Sequence, residues 1–281
     1  MPGSSFTREA VSDTIDAAFV LRAGPTTPSR AAAALAFAPV VFRDEPPPLA
    51  RPDLRASLEV APRRARRLSL AEGQALADAA QAAMVTRARS LEAFSFANPA
   101  DAWLVDDGDG LAFALIGVLR ERRHPLASWI GGLTLRNGVP IGYTQADIVG
   151  PTAALSFNTF DTFRGAEAAH TFARWLAALR HRFGTTSFSI EPYQLGGKGN
   201  AEGLASGAFW FYAKLGFAPR DRDTLALLEH ERERMTRDAA HRSTPATLRR
   251  LAASHLHLDL ERAWGLPRLA DLGWQAGQRA A

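Results

Sequence analysis

The run Phe209-Trp210-Phe211-Tyr212-Ala213-Lys214-Leu215-Gly216-Phe217 carries two transitions in nine residues. Aromatic and aliphatic side chains suit a short packed helix, expected from about Ser206 to Leu215. Gly216 then tolerates the left-handed backbone that ends a helix, and Phe217 opens the next strand. Working upstream, Thr186 to Ile190 is a short β-rich stretch. A helix precedes it, from about Arg164 to Phe183, with Phe172, Trp175, Leu176, Leu179 and Phe183 on one face and Gly184 as its stop. Ahead of that helix, Ala153 to Asp161 reads as a strand. The order around the quoted run is therefore strand, helix, strand, helix, strand.

Further upstream the period is two. Ile130 to Arg136 and Val139 to Val149 flank Asn137-Gly138, the dipeptide that accepts positive φ at both central positions of a type I′ turn. Ala102 to Val105 and Leu111 to Leu119 form a second pair around Asp106-Asp107-Gly108-Asp109-Gly110. That acidic stretch resembles the start of a calcium loop, but its twelfth position is Gly117 and not a bidentate Glu, so a hairpin turn is expected. Before it, a helix starts near Leu68, with Ser69 and Glu72 spaced as a capping box and Leu76, Ala79, Ala80, Ala83 and Met84 on one face. The fold class predicted is α+β, a mixed, mostly antiparallel sheet flanked by helices.

The ends read differently. Residues 1 to 65, with Pro25, Pro28 and Pro46 to Pro48, are expected to form a flexible arm closed by Arg63, Arg64, Arg66 and Arg67. A domain is expected over 66 to 221, and a helical extension over 222 to 281, with Thr244 and Pro245 as N-cap and N1 of one helix. His255, His257 and Asp259 alternate, but three such groups without a placed fourth suit a packed amphipathic segment better than a metal site.

Composition narrows the chemistry. The 281 residues contain no cysteine, which excludes disulfides, thiolate zinc sites and a cysteine nucleophile, and fits a cytoplasmic location. No signal segment or membrane span is expected. The formal net charge is +4, and 47% of residues are hydrophobic. Lys198 and Lys214 are the only lysines; an arginine bias of this kind reflects composition more than a nucleic-acid surface. A basic balance also suits a CoA pyrophosphate or an acidic substrate.

The segment Phe211 to Phe217 resembles the Tyr-x-Lys-Leu-Gly-Phe signature of the GNAT superfamily of N-acetyltransferases, with Ala208 as the usual small residue and Ala205 in place of the usual Asn. Arg164-Gly165-Ala166-Glu167-Ala168-Ala169 resembles that family's Gln/Arg-x-x-Gly-x-Gly/Ala turn, in which backbone amides and a helix N-terminus hold the CoA pyrophosphate. Arg164 and Ala169 fit the pattern; Glu167 replaces a glycine that normally lets phosphate approach.

The resemblance implies an acyl-CoA-dependent N-acyltransferase acting on a small-molecule or peptide amine. Acetyl-CoA or another acyl-CoA would be held by Phe163, Arg164, Gly165, Ala166 and Ala169. It gives Tyr212 the role of proton donor to the departing thiolate; read without the resemblance, Tyr212 is one packing aromatic of Phe209 to Tyr212. A backbone amide between Phe157 and Phe160 is the expected oxyanion donor. Asp161 and Glu191, near the ends of two strands expected to splay at the cofactor, are the candidates for general base or else surface carboxylates; His170 is read as structural. The loop from Tyr193 to Asn200 is not a Walker motif but suits an acceptor loop, in which Lys198 could meet an anion. No membrane and no nucleic-acid partner are expected, and the reading leaves room for a homodimer. The competing reading, from Glu167 and Ala205, is a GNAT-like scaffold with altered cofactor binding that works as a binding or regulatory module.

Overall fold

Leu111–Val118 is buried at every position, so both of its faces must be covered by apolar material. A computed structural model, which describes residues 34–41, 50–85, 92–123, 126–165 and 167–261, supplies that cover. The strand lies inside a nine-stranded sheet. One face receives Leu111, Phe113 and Leu115 with helix residues such as Phe172 and Leu176. The other receives Ala112, Ala114 and Ile116 with Leu76, Ala80 and Phe94. Alternation of period two thus feeds two cores.

In chain order the strands are β1 (Arg64–Arg67), β2 (Ala97–Gly108), β3 (Leu111–Val118), β4 (Ser128–Arg136), β5 (Val139–Val149), β6 (Thr152–Thr159), β7 (Ser187–Ile190), β8 (Ala218–Pro219) and β9 (Leu256–Asp259). The helices are α1 (Leu54–Glu59), α2 (Leu70–Val85), α3 (Glu92–Ser95), α4 (Ala168–Phe183), α5 (Ala201–Ala205), α6 (Ala208–Ala213), α7 (Arg222–Arg237) and α8 (Pro245–Leu251). The spatial order is β1-β2-β3-β4-β5-β6-β7-β9-β8. Among the described residues every pairing is antiparallel except β6 with β7, the pair joined through α4. The architecture is α+β with a mostly antiparallel open sheet.

The local signals act as their chemistry requires. Asn137 and Gly138 sit at φ 51° and 77° between β4 and β5. Gly108, Asp109 and Gly110, all at positive φ, turn β2 into β3. Ser69 and Glu72 form the reciprocal capping box, Ser69 N–H donating to the carboxylate at 2.8 Å and Glu72 N–H to the hydroxyl at 3.3 Å. Gly184, at φ 71°, ends α4, and Thr244 caps α8 ahead of Pro245.

Several elements differ from expectation. The N-terminal span expected to be a flexible arm contributes α1 and the start of β1, and Leu35 N–H donates to Gly138 O at 2.8 Å. α1 is held because Arg174 of α4 donates to Ser57 O and Val60 O and meets the buried Asp107 carboxylate at 2.7 Å. These partners lie 114 or more residues away for the carbonyls and 67 for Asp107, beyond any local sequence pattern. Of the basic cluster, Arg66 forms a two-pronged pair with Glu72, and Arg67 donates to Ala100 O. The expected helix from Ser206 to Leu215 is α6, shortened to Ala208–Ala213 behind Gly207 at φ 67°, and the additional short helix α5 lies just ahead of it. Beyond 221 the chain is not helical throughout. Leu256 and Leu258 are buried, and the alternating residues Leu256–Asp259 form β9, inserted between β7 and β8. No group of three or more His, Asp or Glu among the described residues could hold a metal ion. No helix among them is long and apolar enough to cross a membrane. Residues 1–33 and 262–281 lie outside the described residues.

Candidate functional site

The parallel pair β6 and β7 is matched over only four positions, from Thr152 with Ser187 to Leu155 with Ile190. β6 runs on to Thr159 against β5, whereas β7 stops at Ile190. Pro192, which has no N–H to give a ladder, begins a tight turn over Pro192–Leu195 that carries the chain away. One edge of β6 is therefore uncovered from Ser156 onward, in the middle of the sheet.

Strand alternation identifies the groups on that edge. Phe160 N–H donates to Ile141 O on the β5 side. Amides point alternately to the two edges of a strand, so those of Phe157 and Thr159 face away from β5 and into the gap. The Thr159 carbonyl, which accepts from Arg164 Nε at 3.3 Å, points the same way.

Aromatic side chains wedge the gap open. Phe157 of β6 stacks nearly parallel on Phe211 of α6, with ring centroids 6.3 Å apart and planes 5° from parallel. Phe172 meets Phe157, Phe211 and Tyr212 at 5.1, 5.6 and 5.4 Å in edge-to-face contacts. Such contacts add about 0.5–1.5 kcal/mol each beyond area burial. Above this wedge is a cleft of about 240 Å³. Its walls include Tyr143 of β5, Tyr193 of the Pro192–Leu195 turn and Tyr212 of α6. The chain contains three tyrosines, and all three meet at this cleft.

Tyr212 is 3% exposed, and burial pushes its phenol pKa well above the ordinary value, so it carries its proton at neutral pH. Arg164 also lines the cleft and is held three ways: to Thr159 O, to Asp161 at 2.9 Å and to Glu202 at 2.8 Å. Asn200 caps α5 by accepting from Gly203 N–H at 2.9 Å and donates to Tyr193 O at 2.8 Å. Asn200 thereby ties the turn bearing Tyr193 to the helix bearing Glu202.

The residues expected from the sequence are distributed as follows. Tyr212 and Arg164 share the cleft. Asp161 belongs to the short turn Asp161–Phe163; its side chain is 85% exposed, bound to Arg164, and does not line the cleft. Glu191 is exposed at the turn after β7 and does not line it either. Phe163 is an exposed aromatic, Gly165 has open space where a side chain would stand, and Ala169 packs on the core. Ala166 lies outside the described residues. Lys198 is exposed, at φ 49°, and His170 bonds Ala50 O. Glu167 sits at the N-terminus of α4 with its carboxylate 2.6 Å from the guanidinium of Arg136 on β4, and it does not line the cleft.

Sequence reasoning missed Tyr143 and Glu202, and reached Tyr193 only as the first residue of the expected acceptor loop. The scarcity of tyrosine was the available signal, because a rare side chain gathered from three distant segments marks a shared environment. No protein-family model matches the chain, and none of the curated proteins matches it.

Proposed function

We propose that this chain is an acyl-CoA-dependent N-acyltransferase of the GNAT type, transferring an acetyl or other acyl group to a small-molecule or peptide amine. The observation that carries this reading is the cleft at the divergence of β6 and β7, with Arg164 before α4 on one side and the buried Tyr212 on the other. A thioester carbonyl placed against the β6 edge would receive the amides of Phe157 or Thr159 as its expected oxyanion donors. The N-terminus of α4 and Arg164 would hold the pyrophosphate through the helix dipole and a charge-assisted contact. Glu167, which favoured an altered scaffold, has its charge countered by Arg136, and this arrangement supports the enzymatic reading.

The chemistry follows from these placements. The neutral amine attacks the thioester carbon, forming a C–N bond and an oxyanion. Collapse breaks the C–S bond, and the sulfur takes the phenolic proton of Tyr212. A phenol with so high a pKa yields that proton only if another replaces it, so Tyr212 recovers one from the nitrogen of the intermediate in the same event. The products are an N-acyl amine and CoA thiol. Acetyl-CoA and free CoA, titrated calorimetrically into the full chain, are expected to bind at micromolar concentration. Absence of heat up to millimolar ligand would refute the proposal.

A further inference from the structure

α6 presents Tyr212 to the cleft, yet it is six residues long and lies between Gly207 at φ 67° and Gly216 at φ 100°. So short a helix does not hold itself in place, and a glycine at each joint adds freedom. Among the described residues no hydrogen bond reaches the Tyr212 hydroxyl; its pKa is raised by burial alone. The phenol is therefore aimed by whatever aims α6. Two adjacent residues of α7 grip that helix. Arg232 donates to Ala213 O, the carbonyl just after Tyr212, at 3.0 Å. Glu231 accepts from Ser243 Oγ at 2.5 Å, and Trp210 Nε1 of α6 donates to the same Oγ at 3.2 Å. The gripping body is itself fixed. Thr224 Oγ1 of α7 bonds Ser254 Oγ, just beyond α8, at 3.0 Å. Gly197, in the loop that follows Tyr193, lies so close to the end of α8 that a Cβ would stand 2.4 Å from Ala252 O. α7 and α8 thus touch the helix of Tyr212 and also the loop behind the wall that bears Tyr193.

We propose that α7 and α8 are a brace that positions Tyr212, with Trp210, Ser243, Glu231 and Arg232 as its positioning residues. None of these four lines the cleft, so each acts on the reaction only through α6. The inference rests on the acyltransferase reading, in which Tyr212 gives its proton to the departing sulfur. A displacement of about 1 Å from the productive geometry can cost on the order of 10²-fold in rate. The brace therefore governs cleavage of the thioester, whereas binding of CoA falls to Arg164 and the start of α4, which it does not touch.

Acetyl-CoA and hydroxylamine, a small amine that is neutral at physiological pH, test the brace on the full chain. Attack by the nitrogen forms the C–N bond of acetohydroxamate, breaks the C–S bond and releases CoA thiol. A thiol reagent counts that product directly, because the chain has no cysteine. Trp210→Phe keeps an aromatic ring and removes the N–H, and Ser243→Ala breaks the same link from the other side. Each is expected to lower kcat about fivefold, the scale of one hydrogen bond, while calorimetric CoA affinity stays within about twofold of wild type. Added to Tyr212→Phe, neither is expected to lower turnover further, since no phenolic proton remains to be misplaced. Unchanged kcat in both variants, a fall matched by an equal loss of CoA affinity, or a further fall in the Tyr212→Phe background would overturn the brace and leave the acyltransferase reading intact. A wild type that fails to bind CoA, or binds it and releases no thiol above the uncatalysed rate, would remove that reading and the brace with it.

Discussion

Glu231 of α7 is 1% exposed, yet it is charged and lies near the element that carries Tyr212. Its carboxylate accepts from Ser243 Oγ at 2.5 Å, pairs with His241 Nε2 at 3.0 Å and accepts from Arg234 at 3.1 Å. Trp210 Nε1 of α6 donates to Ser243 Oγ at 3.2 Å, which connects the network to the helix bearing Tyr212. Glu231→Ala would strip Ser243 and His241 of a buried acceptor and leave a cavity. Hydrogen bonds to a charged group contribute about 1.5–3 kcal/mol, and removing one partner of a buried charged set costs about 3–5. Arg234 is half exposed and adds little, so the expected loss is about 3 kcal/mol. At roughly 2–4 °C per kcal/mol for a chain of this size, Tm should fall by about 6–12 °C. Urea melts at 25 °C, with the slope unchanged, are the direct check.

The same network predicts a pH dependence. Burial pushes the Glu231 carboxyl up, but the hydrogen bonds from Ser243 and His241 outweigh it and hold the carboxyl below its usual range. A carboxyl depressed in the folded state contributes stability that is complete above its unfolded pKa, about 4.3, and is lost as pH falls through the lower folded value. The stability difference between wild type and Glu231→Gln should therefore be constant above about pH 5 and shrink below about pH 4. A loss under about 1 kcal/mol in Glu231→Ala, or a difference that grows on acidification, would refute the reasoning.

Tyr212→Phe keeps the packing against Phe172 and Phe217 but removes the proton. Turnover with any active amine should fall about 10²-fold while calorimetric CoA affinity is unchanged; equal turnover would remove Tyr212 from the mechanism. Arg136→Ala removes the guanidinium 2.6 Å from the Glu167 carboxylate at the start of α4 and should weaken CoA binding about fivefold, with Glu167→Gln restoring it. A weakening that Glu167→Gln does not rescue would show that Arg136 acts in some other way.

Legibility in the sequence followed the range of the interaction. Asn137-Gly138, the Ser69–Glu72 box, Gly184 and Thr244-Pro245 act over a few residues, and each stands where its local chemistry put it. α1 could not be read this way, because Arg174, Asp107 and the edge of α4 hold it from across the chain. β9 did show its alternation, but a strand of four residues has too short a period to exceed the helical context around it. In the site, Tyr212 and Arg164 lie in recognisable motifs. Tyr143, Tyr193 and Glu202 reach the cleft only through the pairing of β5 with β6 and the turn that Asn200 holds.

Why the sheet opens in its middle is a question about hydrogen bonds. Unpaired backbone amides buried from water cost free energy, so a central strand normally stays paired along its length. Here β7 yields after four residues, at Ile190, and Pro192 prevents the ladder from resuming. The wedge of Phe157, Phe172, Phe211 and Tyr212 replaces the missing strand with apolar contact, and this keeps the edge from closing on itself. The aromatic wedge satisfies the side-chain side of that exchange but offers nothing to the amides of Phe157 and Thr159. Those donors are left facing a cleft large enough for a ligand, with a guanidinium at its rim and a protonated phenol in its wall. A carbonyl that becomes an oxyanion is the partner such an edge can use best, because its demand for donors rises at the moment of reaction. The proposed acyl transfer would thus use the same departure from regular pairing that costs the sheet stability.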